Sequence, residues 1–149
     1  TLARSESTVA DVERIDRSEL VTACWANVAT DTATLAVETT RPIRGDDGRL
    51  KRLFENLFRN SIEHGGKGVT VTVGELDDGF YVEDDGVGIE AAKRNKVFED
   101  GYSTRQEGTG FGLTIVKQVV EAHDWTIRVV EGPDGGTRFE ITGVRLAAE

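Results

Sequence analysis

The chain has 149 residues, 38% hydrophobic and 30% charged, a composition that predicts one soluble globular domain. Its 27 acidic and 18 basic residues give a net charge of −9, which disfavours contact with nucleic-acid phosphates, and no apolar run approaches the roughly 18 residues of a membrane span. The single cysteine, Cys24, excludes an internal disulfide and a multi-cysteine metal site.

The predicted elements run as follows. Residues 1–12, TLARSESTVADV, read as a helix end and a polar linker, and the absence of an initiator Met leads us to expect a longer parent protein. Leu20, Cys24 and Val28 have helical spacing within 17–28, with Ser18 as the expected cap and Cys24, beside Trp25, as a core residue. Residues 33–39 read as a strand. Asp46 or Asp47 is expected to cap a helix reaching about His64, whose stripe is Leu50, Leu53, Phe54, Leu57, Phe58 and Ile62, and Gly65 and Gly66 stop it. Val69, Val71 and Val73 alternate with Thr70 and Thr72 in a half-buried strand. A turn at Asp78-Gly79 returns the chain along FYVED as a hairpin. Residues 89–110 form a long polar, glycine-punctuated connection, a length that is usually functional. A helix over 111–123 follows, then strands at 125–131 and 136–142 joined through Gly132, Pro133, Asp134 and Gly135. This order predicts an α/β (α+β) two-layer sandwich, a mixed sheet with helices on one face.

Four features point to chemistry. Gly108, Gly110 and Gly112 stand directly before a helix, where free N–H groups and bare backbone suit an anion; a flexible linker or a close helix–sheet contact would use the same glycines. The dinucleotide fingerprint is excluded by Leu113 and the P-loop by Gly68 after Lys67. Asp84 continues the parity of Phe80 and Val82, so an acid lies on the buried side at a strand end, where it needs donors. Glu83 and Asp85 take the other side. Gly86 and Gly88 follow, so a flat group can slide over bare backbone beside Asp84, and an adenine amino group is a suitable donor; a turn-capping role for Asp84 is the competing account. Asn56 and Asn60 are one helical turn apart, flank the apolar stripe and offer hard oxygens suited to Mg²⁺, or else are solvated or capping amides. Thr137 shares parity with Phe139 and Ile141, so its hydroxyl faces inward and needs a partner.

Taken together, these segments resemble the ATP-binding catalytic domain of sensor histidine kinases, within the GHKL ATPase superfamily. LFENLFRNSIEHG is similar to its asparagine box, VEDDGVGI to its Asp-x-Gly-x-Gly box, VFEDGYST to its phenylalanine box and GTGFGL to its second glycine box, with GGTRFEI as the closing strand. The match runs from about residue 14 to 143. It implies the Bergerat nucleotide fold over 14–149, with residues 1–13 as the end of an upstream dimerisation and phosphoacceptor helix plus linker. It implies adenine against Asp84, Gly86, Gly88 and Ile89, with His64 packing beside the base and Thr137 in the same site. Asn60 would hold Mg²⁺ between the phosphates, assisted by Asn56. Residues 89–110 would be the ATP lid, anchored by Phe98 and Tyr102, with Ser103 and Thr104 in contact with nucleotide. Arg105 would be a lid cation near the γ-phosphate. Gly108, Thr109, Gly110, Phe111, Gly112 and Leu113 would pass the phosphates onto the helix N-terminus. Three departures stand out. Glu63 replaces a common lysine, Ser61 replaces a usual alanine in what reads as a small change, and His123-Asp124 replaces a usual Gly-Gly.

The resemblance also bears on the reaction. Hydrolysing relatives carry a Glu one turn before the metal-binding asparagine, where this chain has Asn56; Glu55 lies about 100° round the helix. Transfer of the ATP γ-phosphate to a histidine is therefore expected. The histidines are His64, in the pocket helix, and His123, at a helix C-terminus about 15 Å from the anion site, where a histidine is favourably placed. The acceptor is expected outside this chain. The implied partners are the upstream dimerisation and phosphoacceptor domain and a response-regulator receiver domain. A homodimeric parent, a monomeric isolated domain, a cytoplasmic location and no nucleic-acid or membrane contact are expected. The alternatives are an anti-sigma-type serine kinase of the same superfamily and a non-catalytic nucleotide-binding regulatory module.

Overall fold

The computed structural model describes residues 13–28, 33–38, 42–65, 68–88, 113–132 and 135–144. In chain order they form β1 (Glu13–Ile15), α1 (Arg17–Ala26), β2 (Thr34–Val37), β3 (Ile43–Gly45), α2 (Asp47–Gly65), β4 (Thr70–Leu76), β5 (Gly79–Asp84), α3 (Leu113–Ala122), β6 (Thr126–Glu131) and β7 (Thr137–Thr142). A five-stranded sheet has the order β2-β4-β5-β7-β6, parallel at β2–β4 and antiparallel elsewhere, and a second sheet pairs β1 with β3. The mixed sheet with helices packed on one face is the architecture expected above.

Alternation builds the core. Val71 and Val73 of β4, Phe80 and Val82 of β5, and Phe139 and Ile141 of β7 are all buried and share one face. Against them α2 turns Leu50, Leu53, Phe54, Leu57 and Phe58, each fully buried, as its stripe requires. Phe80 is the meeting point. The Phe54 ring lies 5.3 Å away, Trp125 meets it edge-on at 6.3 Å, and the Arg17 guanidinium of α1 lies 5.1 Å over its face. Cys24 is buried as expected; burial pushes its thiol up to about 12, and Sγ donates to the Lys51 carbonyl at 3.7 Å.

Several local expectations change. The α1 cap is Asp16, which accepts from the Glu19 N–H at 3.1 Å, so Ser18 lies inside the first turn. At α2 the cap is Asp46, accepting from Arg49 N–H at 3.1 Å. The β4–β5 turn is Asp77-Asp78, because Leu76 already pairs with Gly79. Strands β1 and β3 were not anticipated; at three residues each they are too short to alternate visibly.

His123 stands against the α3 C-terminus as expected, and it does so as a neutral ring. Its Nδ1 donates to the Val119 carbonyl at 2.8 Å, and its Nε2 accepts from the Asp46 backbone N–H at 3.1 Å. That pair of roles fixes the neutral imidazole with the proton on Nδ1. The ring stacks on Trp125 at 4.2 Å, and burial holds its pKa below the ordinary 6.5. Asp124 then ends α3 with φ 62°, in the left-handed region where glycine is commoner. The unfolded chain thus binds a proton more readily at His123 than the folded chain does. The imidazole's contribution to stability is complete above pH 6.5 and is lost as the pH falls from there through the lowered folded pKa. A His123→Phe variant keeps the stacked ring and loses the acceptor. It is expected to be about 1 kcal/mol less stable at pH 7.5 and to show a flatter Tm between about pH 7 and 5.5, read by thermal denaturation at each pH.

Candidate functional site

The inward parity of β5 ends on Asp84, which is 4% exposed. The expected donors are present. Oδ1 accepts from the Gly86 N–H at 3.0 Å and from the Thr137 N–H at 3.3 Å, and Oδ2 accepts from the Ser61 hydroxyl at 2.9 Å. A carboxylate offers about four acceptor positions. Three are taken by the described residues, and the position without a partner among them is on Oδ2. Burial raises the Asp84 pKa above its ordinary 3.8, and the three hydrogen bonds oppose that rise. The flanking acids face the other way. Asp85 accepts from the Thr70 N–H at 2.8 Å at an exposed position, and Glu83 pairs with Arg138 at 3.3 Å, half-buried.

Glycines bring two segments of bare backbone together beside this carboxylate. A Cβ on Gly136 would collide with the Asp84 carbonyl oxygen, and one on Gly88, which holds φ +79°, would collide with the Gly135 carbonyl oxygen. The β5 end and the start of β7 therefore approach more closely than side chains would permit, which carries the Thr137 N–H to Asp84. Thr137 itself is buried, as its parity predicts.

From the helix side α2 supplies two adjacent residues. Ser61 reaches Asp84 directly. Asn60 is 4% exposed, and its Oδ1 is buried with no hydrogen-bond partner among the described residues. A buried amide oxygen left unpaired costs free energy, and a hard cation removes that cost. Among the described residues no three His, Cys, Asp or Glu side chains cluster as a metal site. One turn earlier Asn56 is half-buried and its Nδ2 donates to the Arg52 carbonyl at 2.6 Å. Leu113, buried, opens α3. The side chain of His64, together with Ile89, Phe98, Tyr102, Ser103, Thr104, Arg105, Gly108, Thr109, Gly110, Phe111 and Gly112, lies outside the described residues.

Among the described site residues, then, the structure joins Asp84, Gly86 and Thr137 through hydrogen bonds and sets Asn60 next to a fourth member, Ser61. Sequence reasoning passed over Ser61 as a small change. A signal was available: Ser61 follows Leu57 by four and Phe58 by three, so it continues the buried stripe, and a hydroxyl there needs a partner.

A family model described as histidine kinase-, DNA gyrase B-, and HSP90-like ATPase matches residues 45–147. The chain belongs to this ATPase family. Sensor histidine kinase ZraS of Klebsiella oxytoca is 33% identical over 139 residues, covering 85% of this chain and 30% of that protein. The mycobacterial sensor histidine kinase MprB matches in structure with a TM-score of 0.77 at 27% identity, over 91% of this chain and all of that one. Full-length ShkA, solved in complex with AMPPNP, matches at a TM-score of 0.75 and 23% identity, over 96% of this chain and 33% of its own. The chain spans 38% or less of the length of the curated kinases it matches, down to 16%. Its fold is that of the histidine kinase catalytic domain.

In this ATPase-family domain the glycine contact at Asp84 is directly testable. Gly136→Ala is expected to lower stability by about 1–3 kcal/mol, because the methyl must push the β5 and β7 backbones apart. Chemical denaturation measures it, with Gly48→Ala as a comparison at a position where an added Cβ comes no closer than 3.6 Å to another atom.

Proposed function

We propose that this chain binds ATP·Mg²⁺ as the catalytic domain of a two-component sensor histidine kinase and passes the γ-phosphate to a histidine outside the chain. The observation that carries the reading is the buried Asp84 carboxylate with three donors and, among the described residues, one acceptor position left on Oδ2. The adenine 6-amino group donates to that position, whereas guanine would set a carbonyl oxygen against a carboxylate. Gly86 and Gly88 give the base a bare backbone to lie on. The ZraS and MprB names and the AMPPNP bound to ShkA support the same assignment.

Asn60 Oδ1 holds the metal, and Asn56 assists from the preceding turn. A Mg²⁺ held there would supply neutralising charge to the triphosphate. The glycines ahead of α3 take the phosphates toward the helix N-terminus, with Arg105 as the lid cation. His64 lies beside the base, and Ile89, Tyr102, Ser103, Thr104, Thr109, Phe111, Leu113 and Thr137 complete the nucleotide contacts. Phosphoryl transfer asks mainly for positioning, and the described residues beside Asn60 offer little with which to activate water. Asn56 is not a base, and Glu55 accepts from Asn27 Nδ2 at 3.1 Å at the end of α1. Transfer is favoured over hydrolysis on that ground. His123 is committed to Asp46 and Val119 through both ring nitrogens, so it is not the acceptor. The acceptor belongs to an upstream dimerisation and phosphoacceptor domain of a homodimeric parent, and a response-regulator receiver takes the phosphate next. A cytoplasmic location follows from the resemblance to sensor kinase catalytic domains; separately, no helix of the described residues is long and apolar enough to cross a membrane.

Calorimetry with ATP·Mg²⁺ tests the reading, and no binding by the wild type would defeat it. Addition of a helical phosphoacceptor substrate is expected to yield acid-labile phosphohistidine. Asp84→Asn is expected to abolish the preference for ATP over GTP without loss of fold. Folding raises the Asp84 pKa, so its favourable contribution is complete below the unfolded pKa of 3.8 and is lost as pH rises from there through the raised folded value. At neutral pH the buried charge is a cost, and the Asn variant's Tm should equal or exceed that of the wild type. Asn60→Asp should alter the Mg²⁺ titration of ATP binding, since a carboxylate replaces a neutral oxygen; an identical titration would remove Asn60 as the ligand.

A further inference from the structure

The Ser61 hydroxyl crosses from helix to sheet. It sits on α2 at 2% exposure and reaches Oδ2 of Asp84, itself 4% exposed, at 2.9 Å. Oδ2 is the oxygen that the two backbone N–H groups leave alone, since both are spent on Oδ1. We propose that Ser61 is a positioning residue for base recognition: by donating to Oδ2 it fixes the carboxylate and leaves that oxygen one acceptor position, the one that takes a purine 6-amino group. The inference deepens the adenine-binding reading above and rests on it.

The physical case has three parts. First, two N–H groups on Oδ1 hold one end of the carboxylate, and a flat group held at one end can still swing the other. The Ser61 bond is the described restraint on Oδ2. Second, it is charge-assisted and buried at both ends, the setting in which such a bond is strongest and a lost donor hardest to replace. Third, the donor stands next in sequence to Asn60, whose Oδ1, without a partner among the described residues, is the proposed metal contact. One turn of α2 then sets both the atom that reads the base and the atom that faces the phosphates. Ligand orientation follows from helix geometry, without a flexible linker between the two contacts.

The test compares ATP with purine riboside triphosphate, which lacks only the 6-amino group, each titrated with Mg²⁺ into the wild-type chain and into Ser61→Ala and Ser61→Thr. The wild type is expected to prefer ATP. In Ser61→Ala the ATP affinity should fall about tenfold while the affinity for purine riboside triphosphate stays as in the wild type, because only ATP uses Oδ2. Ser61→Thr keeps the hydroxyl and should return the preference. Unchanged ATP affinity in Ser61→Ala would overturn the inference. Equal weakening of both nucleotides would overturn it too, since a general loosening of α2 does not distinguish them. A wild type that binds both nucleotides equally would instead remove the adenine reading itself, so the two failures are distinct.

Discussion

A carboxylate buried at the end of an inward-facing strand is the constraint around which the rest of this molecule is arranged. Asp84 would be expensive in that place without partners, and burial does push its pKa up. Each of its three donors comes from a different part of the chain: the turn after β5, the start of β7, and α2. To bring Thr137 close enough, the strands dispense with side chains at Gly136 and Gly88. To bring Ser61 close enough, α2 must lie flat on the sheet, which its fully buried Leu53, Phe54, Leu57 and Phe58 ensure. The apolar core and the polar site are thus one packing problem, solved by the same helix face.

The far end of α2 is tied down by different means. Asp46 caps the helix through its side chain, and its backbone N–H is received by His123 at the end of α3. That second contact links residues 77 apart in sequence and fixes where α2 starts relative to α3. Gly45 permits the approach, since a Cβ there would lie 2.8 Å from Leu50 Cδ1 and 3.2 Å from His123 Nε2. A helix held at its N-terminus by a neutral imidazole and near its C-terminus by a serine–aspartate bond has little freedom to tilt. Asn60 is carried on that rigid segment.

Much of this was legible in the sequence because it follows from period. The stripe of α2, the alternation of β4, β5 and β7, and the inward parity of Asp84 and Thr137 are local patterns that burial then respected. What escaped was of two kinds. Strands β1 and β3 are too short for a pattern, and their pairing of Ile15 with Ile43 is a long-range event. The roles of Ser61 and His123 are set by partners distant in the chain. A serine after an asparagine reads as filler until Asp84 is seen opposite it. A histidine at a helix end leaves its charge open until Asp46 N–H is found on its Nε2, and then charge is the one state it cannot hold. The glycine cluster from Gly108 to Gly112 and the segment before it lie outside the described residues, so the lid rests on the resemblance.

The arrangement also explains why a recognition site of this kind is tolerated by its fold. A neutral asparagine in place of Asp84 would keep the backbone donors on its oxygen and let the Ser61 hydroxyl reverse, accepting from the new amide nitrogen. The scaffold therefore does not need the negative charge; only a donor-bearing ligand does. Asn60 repeats the logic with opposite polarity, since its buried Oδ1 has no partner among the described residues and gains one only from something electropositive. Both groups carry a free-energy cost that the proposed purine triphosphate with its metal would relieve. The cost is confined to the end of one strand and one turn of one helix, while the aromatic contacts around Phe80 and the buried stripe of α2 hold the surrounding structure without reference to ligand.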